Sequence, residues 1–521
     1  MENWWENKEL KKTQQKCDDA HDMKNIRLLK EMNNTCFERG QDTNLLPAIR
    51  ASYLYSSATC LLDIIEFNFN ELKEADGLEE LYERCLYLMR TARDLCQKAY
   101  ADLSDDDNIS SKSYLNGLFY PLHVNYANML SQTGRYVKSI STLQSILESN
   151  YPMAVGNLAL NIINYSYFDR SHQKIMLYKA YHLLSYILND DIKFPEKEYA
   201  RRIFEEHFKR IENSLGLEYL NKSYSLNDFL FSKENISSDE TNYREWFGYN
   251  RLSLNQLNDI YTEKEVAYDP LHLPSMMVAK DSIGMPKYHG IFNQIKQEYV
   301  SARFWIYEGL THRNTHYSDR HVYLVNTFDY PIYGIRIEKI KAAYRGIYSI
   351  FDKIAFFLNK YLNLGIPEDR ISFHSIWYRK EGRKEIRREN VVAFIENNFA
   401  LNGLWWIYKD LRNKSVYNDK HIDPVLRKIS KVRNAMEHKY LKISDDFFED
   451  FSKDRIDDFA YTISSTDFEE LTIALLQLTR EAIIQLTMII QIEEDKTASN
   501  RNPDEPIGEL DLFEYEDDWK L

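Results

Sequence analysis

Arg433, Asn434 and His438 are the residues of this chain whose types and spacing could do chemistry together. They lie in DPVLRKISKVRNAMEHKY (423–440), which opens as a helix should, with Asp423 suited to the N-cap and Pro424 to the first helical position. Val425, Ile429, Val432 and Met436 recur at helical spacing and predict one buried face. At about 100° per residue, Arg427, Lys431, Asn434 and His438 fall on the other side, with Arg433 at the edge of the apolar face. Something else should meet such a face, and cleavage of RNA without a metal is one chemistry its residue types could serve. That reaction needs a base for the 2′-hydroxyl, an acid for the leaving 5′-oxygen and a cation for the phosphorane. A histidine can serve as base or acid, an arginine fork matches phosphate oxygens, and Asn434 can orient either. Arg427 and Lys431 stand as RNA-backbone contacts. One histidine per chain is one short of a two-proton relay, so the chemistry asks for a second copy across a two-fold axis. The plain alternative is a solvated polar face in which Arg433 and Glu437 form an ordinary i,i+4 pair.

The element that must position Arg433 is a long helix predicted over roughly 332–362, with Gly365 as its terminator. Arg345, Asp352 and Asn359 form a polar stripe along it, spaced by seven. An acid amid Phe351, Ile354, Phe356 and Phe357 is costly unless paired. Asp352 is therefore expected to support the site by meeting Arg433, or else to be satisfied at the surface by Arg345 or Lys341. Between Arg370 and Lys442 there are 17 Lys and Arg against 8 Asp and Glu, a net of +9 in a chain of net charge −14. Its richest run, YRKEGRKEIRREN at 378–390, is either a phosphate-gripping edge or a solvated helix laced by i,i+4 pairs.

The 521 residues divide into a helical array at 1–215, an irregular connector at 216–287, a helical domain at 288–495 and an acidic tail at 496–521. Helices are predicted near 43–69, 77–101, 113–132, 136–148, 152–167, 171–190 and 196–213. Asn125 to Asn128, Leu130, Gly134 to Tyr136, Ser139, Leu143 and Ile146 resemble a tetratricopeptide repeat, whose concave side could hold a partner. In the connector, Trp246, Phe247 and Tyr249 call for burial against neighbours. His312, His316, Asp319 and His321 have ligand-like spacing but lie in a polar loop, so no metal is expected. VYLVNTFDYPIYG, after them, reads as a strand or an extended segment. In the tail, Phe513, Tyr515 and Trp519 among acids suggest a segment able to lie on the basic face in place of RNA.

Composition excludes several classes. Hydrophobic residues make up 44%, so the chain is globular, while 16 Gly and 12 Pro argue against a many-turned β protein. Five cysteines without close paired spacing indicate neither a zinc site nor a disulfide framework. MENWWENKELKK lacks the apolar core of a secretory signal, and Leu471–Ile492, interrupted by Arg480 and Glu481, reads as a buried helix. The expected compartment is the cytoplasm, without membrane contact or cofactor.

Arg433-Asn434-Ala435-Met436-Glu437-His438 resembles the R-N-x-x-x-H signature of the HEPN superfamily, which includes many metal-independent ribonucleases. SIFDKIAFFLNKYLNLG, then NGLWWIYKDL with Asn402 and Trp405, then DPVLRKISKVRNAMEH, together with YPMAVGNLAL in the array, are similar to a bacterial HEPN subfamily with N-terminal tetratricopeptide-like repeats. The resemblance implies an all-α chain ending in a bundle of four or five helices. It also implies a homodimer or higher oligomer that joins two motifs, RNA as substrate, and Arg433 and His438 as the catalytic pair with Asn434 in second position. It further implies 2′,3′-cyclic phosphate ends, and a protein or phage-derived trigger at the repeats of a defence nuclease or growth-arresting toxin. The other class left open is a non-enzymatic dimeric adaptor.

Overall fold

The computed structural model of the protein is all-α, with two short two-stranded sheets. It describes residues 4–74, 77–103, 109–189, 192, 198–224, 226, 236–277, 285–312, 314–411, 424–446, 457–502 and 512–520. The array comprises α1 (Lys8–Asp22), α2 (Ile26–Gln41), α3 (Pro47–Phe67), α4 (Phe69–Glu74), α5 (Leu78–Ala101), α6 (Ile109–Gln132), α7 (Tyr136–Gln144), α8 (Pro152–Ser166), α9 (Gln173–Ile187), α10 (Glu198–Leu215) and the single turn α11 (Leu217–Leu220). Neither α1 nor α2 was expected. Polar residues dominate α1, which buries only Leu10, Cys17 and Ala20; it is held at its start by Asn7, whose Oδ1 accepts from the Leu10 N–H at 2.9 Å. By contrast α3 is apolar on nearly every face and is accordingly enclosed by α2 and α5. From α5 onward each long helix packs on the next. Cys17 and Cys36, 19 residues apart, meet inside this array with their sulfurs 3.9 Å apart.

The connector carries α12 (Ser238–Tyr249) and a run, 252–260, in which every residue is buried. Phe247 is buried and Trp246 half-buried, but Tyr249 is 76% exposed, because the end of α12 turns it to solvent. The C-terminal domain consists of α13 (Lys287–Thr311), α14 (Ile335–Tyr361), the short α15 (Glu389–Asn397), α16 (Phe399–Leu411), α17 (Pro424–His438) and α18 (Ser465–Asn500). The axis of the domain is α18, which touches α13, α14, α16 and α17. It is long and apolar enough to span a membrane, yet 83% of its apolar window is buried inside the protein.

A hairpin, β1 (Tyr378–Glu381) with β2 (Lys384–Arg387), pairs Tyr378 with Arg387 and Glu381 with Lys384. Gly382 takes the left-handed backbone that its turn requires, at φ 62°. The stretch is thus not a helix, and its glutamates do not pair at i,i+4. The second sheet joins β3 (Tyr440–Ser444) to β4 (Ala460–Ser464) in parallel. On the free side of β3 the Ile332 N–H donates to the Ile443 carbonyl at 2.8 Å, and Pro331 bridges Ser444.

Buried charges tie the array to the bundle. Asp410 on α16 accepts two bonds of 2.8 Å from Arg90 and one of 2.7 Å from Arg135. Arg135 also grips Glu481 of α18 at 3.0 and 2.7 Å, and all four side chains are buried. Gly134 sits flush on α16, where a Cβ would lie 2.2 Å from the Phe399 carbonyl oxygen. Arg480 enters the connector, bonding Ser253, Asn255 and Asp259. Paired charges of this kind fix the register of the parts more than they add net stability.

Candidate nucleic-acid site on the C-terminal domain

The bearing of α17 is set by two bonds to its backbone neighbours. Ser430 Oγ donates to the Leu411 carbonyl at 2.7 Å, and the Tyr344 hydroxyl to the Ile429 carbonyl at 2.9 Å. Leu426, Ile429, Ser430, Val432, Ala435 and Met436 form its inner face. Val425, expected among them, is 48% exposed, since it stands in the first turn beyond the covered part of the face. The proposed cap Asp423 lies outside the described residues.

The outer face presents Arg427, Lys431 and His438 to solvent, with Arg433 and Asn434 half-buried. Arg433 lies over the Tyr348 ring, its guanidinium carbon 5.3 Å from the centroid, and its Nη1 donates to Asn434 Oδ1 at 3.3 Å. Burial pushes the Tyr348 phenol up, against a hydrogen bond to Ser430 and the charge of Arg433, so it stays a neutral platform beneath the cation. Neither ring nitrogen of His438 has a hydrogen-bond partner among the described residues. Asn434 and His438, four apart, share one side of the helix; Arg433 is displaced from His438 by about 7.5 Å along the axis and about 140° around it.

Asp352 does not meet Arg433. It is exposed on α14, and its Oδ1 accepts from the Phe373 N–H at 2.8 Å, tying down the chain that leads into the hairpin. A backbone amide satisfies the carboxylate in place of a cation. Nor does Arg433 pair with Glu437. Arg345 does: its Nε lies 3.3 Å from Glu437 Oε1, and its Nη2 donates to the Met436 carbonyl at 3.1 Å. Arg345 thus brings a second guanidinium to the C-terminal end of α17. Its place in the polar stripe of α14 was the signal for it, read as a partner for Asp352. Asn359, the third of that stripe, is buried and bonds both the N–H and the carbonyl of Ile366.

The basic hairpin divides into two parts. At its base Arg379 pairs with Glu381, Arg387 with Glu79, and Arg388 donates to the Ser375 carbonyl. At its tip Lys380, Arg383 and Lys384 are exposed and make no ion pair among the described residues. Phe373 rests 5.1 Å from Phe351, so the root of the hairpin lies about one helical turn along α14 from Tyr348. The described part of the tail does not cover this ground. Residues 512–520 make no hydrogen bond or ion pair with Arg427 or Lys431 among the described residues. In the histidine-rich loop, Asp319 accepts from the Ile335 N–H at the start of α14, and His316 Nδ1 lies 2.8 Å from Ser318 Oγ. No three His, Cys, Asp or Glu residues are arranged to hold a metal ion among the described residues.

Residues 279–493 match the family model described as LA2681-like HEPN, which supports the HEPN superfamily for the C-terminal domain. The match spans α13 to α18 and contains the whole candidate site. Comparison with curated proteins and with solved structures finds no match.

Proposed function

We propose that this protein is a metal-independent endoribonuclease whose site is Arg433, Asn434 and His438, completed by a second copy. The observation that carries this reading is the isolation of His438. It ends α17 exposed and, among the described residues, without a hydrogen-bond partner, on the helix that carries the Arg433 guanidinium held by Tyr348 and next to Glu437, which holds a second guanidinium from Arg345. A structural histidine would be expected to have been given a hydrogen bond. In the proposed reaction one imidazole takes the proton of the 2′-hydroxyl, whose oxygen attacks phosphorus. The imidazole of the second copy protonates the departing 5′-oxygen, while Arg433 and Arg345 neutralise the equatorial oxygens. The products are a 2′,3′-cyclic phosphate and a 5′-hydroxyl.

In this reading the array, tetratricopeptide-like in its Asn125–Ile146 unit, receives a protein or phage-derived trigger, as suits anti-phage defence or toxin-type growth arrest. The rigid attachment through Asp410, one residue from the carbonyl that fixes Ser430 of α17, offers a path from trigger to site. Total RNA and tRNA incubated in EDTA with wild type and His438→Ala, with end-group analysis, test it. Cyclic phosphate ends from the wild type alone support the nuclease; equal cleavage by both removes these residues from the reaction.

A further inference from the structure

The segment joining α13 to α14 leaves its surface open. From 322 to 327 it contains neither helix nor turn, and its backbone groups take part in no backbone hydrogen bond among the described residues. Val322 is 58% exposed, Tyr323 90%, Leu324 58% and Val325 86%. Its ends are strained: His321, Phe328 and Tyr330 hold φ of 63°, 60° and 52°, a region that bulky side chains enter only when their surroundings impose it. The far end is tied down. The buried Lys442 ammonium of β3 binds both Asp329 and Asp457, and the Tyr333 and Tyr440 hydroxyls lie 3.4 Å apart. Around this anchor Phe328, Tyr330, Tyr333, Tyr440 and Phe459 stand exposed, and Tyr440 is two residues past His438.

We propose that 322–327 is the strand through which two copies of this chain join. It pairs antiparallel with the same segment of a second copy, across a two-fold axis near Leu324 and Val325, while the aromatic patch packs against its counterpart. A segment whose backbone groups make no backbone hydrogen bond among the described residues is a ready template for such addition. VYLVNTF carries no charge and so does not repel itself. Tyr323 and the five patch aromatics leave roughly 600–800 Å² open per copy, close to the about 800 Å² that each partner gives to a stable interface. RNA fits the patch poorly, because Asp445, whose N–H bonds the Tyr330 carbonyl, and Asp329 and Asp457, two acids on the single ammonium of Lys442, stand beside it and repel phosphates. The inference rests on the reading of the site as incomplete in one chain.

Sedimentation of the full chain tests it directly. Wild type is expected to be a dimer, and Leu324→Asp and Val325→Asp to raise the dimer dissociation constant at least about 100-fold. Diluted below the wild-type dissociation constant, where dimerisation adds no stability, their melting temperatures should match wild type, since both positions are exposed. All five native cysteines are buried, so Val325→Cys offers a single exposed thiol, which a short bismaleimide should link between subunits. Aspartate variants that dimerise like wild type, a wild type monomeric at tens of micromolar, or a Val325→Cys protein that does not cross-link would each overturn the proposal. A dimer that the aspartates break but that cuts no RNA would uphold this surface and remove the nuclease reading.

Discussion

Replacing Asp410 with alanine should uncouple the array from the C-terminal bundle. The carboxylate is 5% exposed and accepts three short bonds from two guanidiniums, Arg90 and Arg135. Arg135 keeps Glu481 after the substitution, and Arg90 keeps the Tyr126 hydroxyl, bonded to its Nε at 3.1 Å. What is lost is the one carboxylate that two buried guanidiniums share across the array and the bundle, Arg90 being 6% exposed. Breaking a buried pair from one side costs about 3–5 kcal/mol, and at about 1.4 kcal/mol per decade that is a factor of roughly a hundred to several thousand in the docking equilibrium. Asp410→Asn, which retains one acceptor, should fall between the two. Calorimetry reads the effect: wild type should melt with array and bundle together, and Asp410→Ala in two steps with the array first. Hydrogen exchange should also quicken in α17, whose Ser430 is bonded to the carbonyl next to Asp410. A single transition with a loss below about 1 kcal/mol would refute the reasoning that this network holds the domains in register.

Two further outcomes follow from single elements. Gly134→Ala should cost about 2–4 kcal/mol, because its φ is 86° and the added carbon would meet the backbone of Phe399 and Gly403, which cannot rotate away; an unchanged melting temperature would contradict the close docking of the α6–α7 turn on α16. Changing Lys380, Arg383 and Lys384 together to glutamine, in a His438→Ala background, should lower the salt-dependence slope of single-stranded RNA binding by about 2. An unchanged slope would take the hairpin off the RNA path.

Much of the fold was legible because periodicity is local. Helices predicted near 77–101 and 152–167 are found at Leu78–Ala101 and Pro152–Ser166, and α17 begins at Pro424 as its sequence implied. The first two helices escaped because polar residues dominate them: α1 buries only Leu10, Cys17 and Ala20, and in α2 the face of Leu29, Met32 and Cys36 is narrow; both pack on α3. The hairpin was hidden by its charge, since lysine, arginine and glutamate favour a helix and only Gly382 announced the turn. Pairings across the chain were the least legible. Asp410 finds Arg90 at a separation of 320 residues, and Asp352 finds a backbone amide in place of Arg433. Side-chain spacing says which residues share a face, whereas the partner opposite depends on how the other helices dock. Arg433, Asn434 and His438 could be found from sequence because one helix carries all three; Arg345 and Tyr348 come from α14 and needed the structure.

The central claim is that His438 and Arg433 cut RNA without a metal. Its most direct test is end-group analysis of total RNA and tRNA exposed in EDTA to wild type, His438→Ala and Arg433→Ala, with a phage-infected lysate added as a source of trigger. The account predicts cyclic phosphate and 5′-hydroxyl ends from wild type, reduced about 10²–10⁴-fold without the imidazole, while both variants keep wild-type stability to within about 1 kcal/mol. Cleavage that survives both substitutions, or wild type that leaves all RNA intact with and without the lysate, would contradict it.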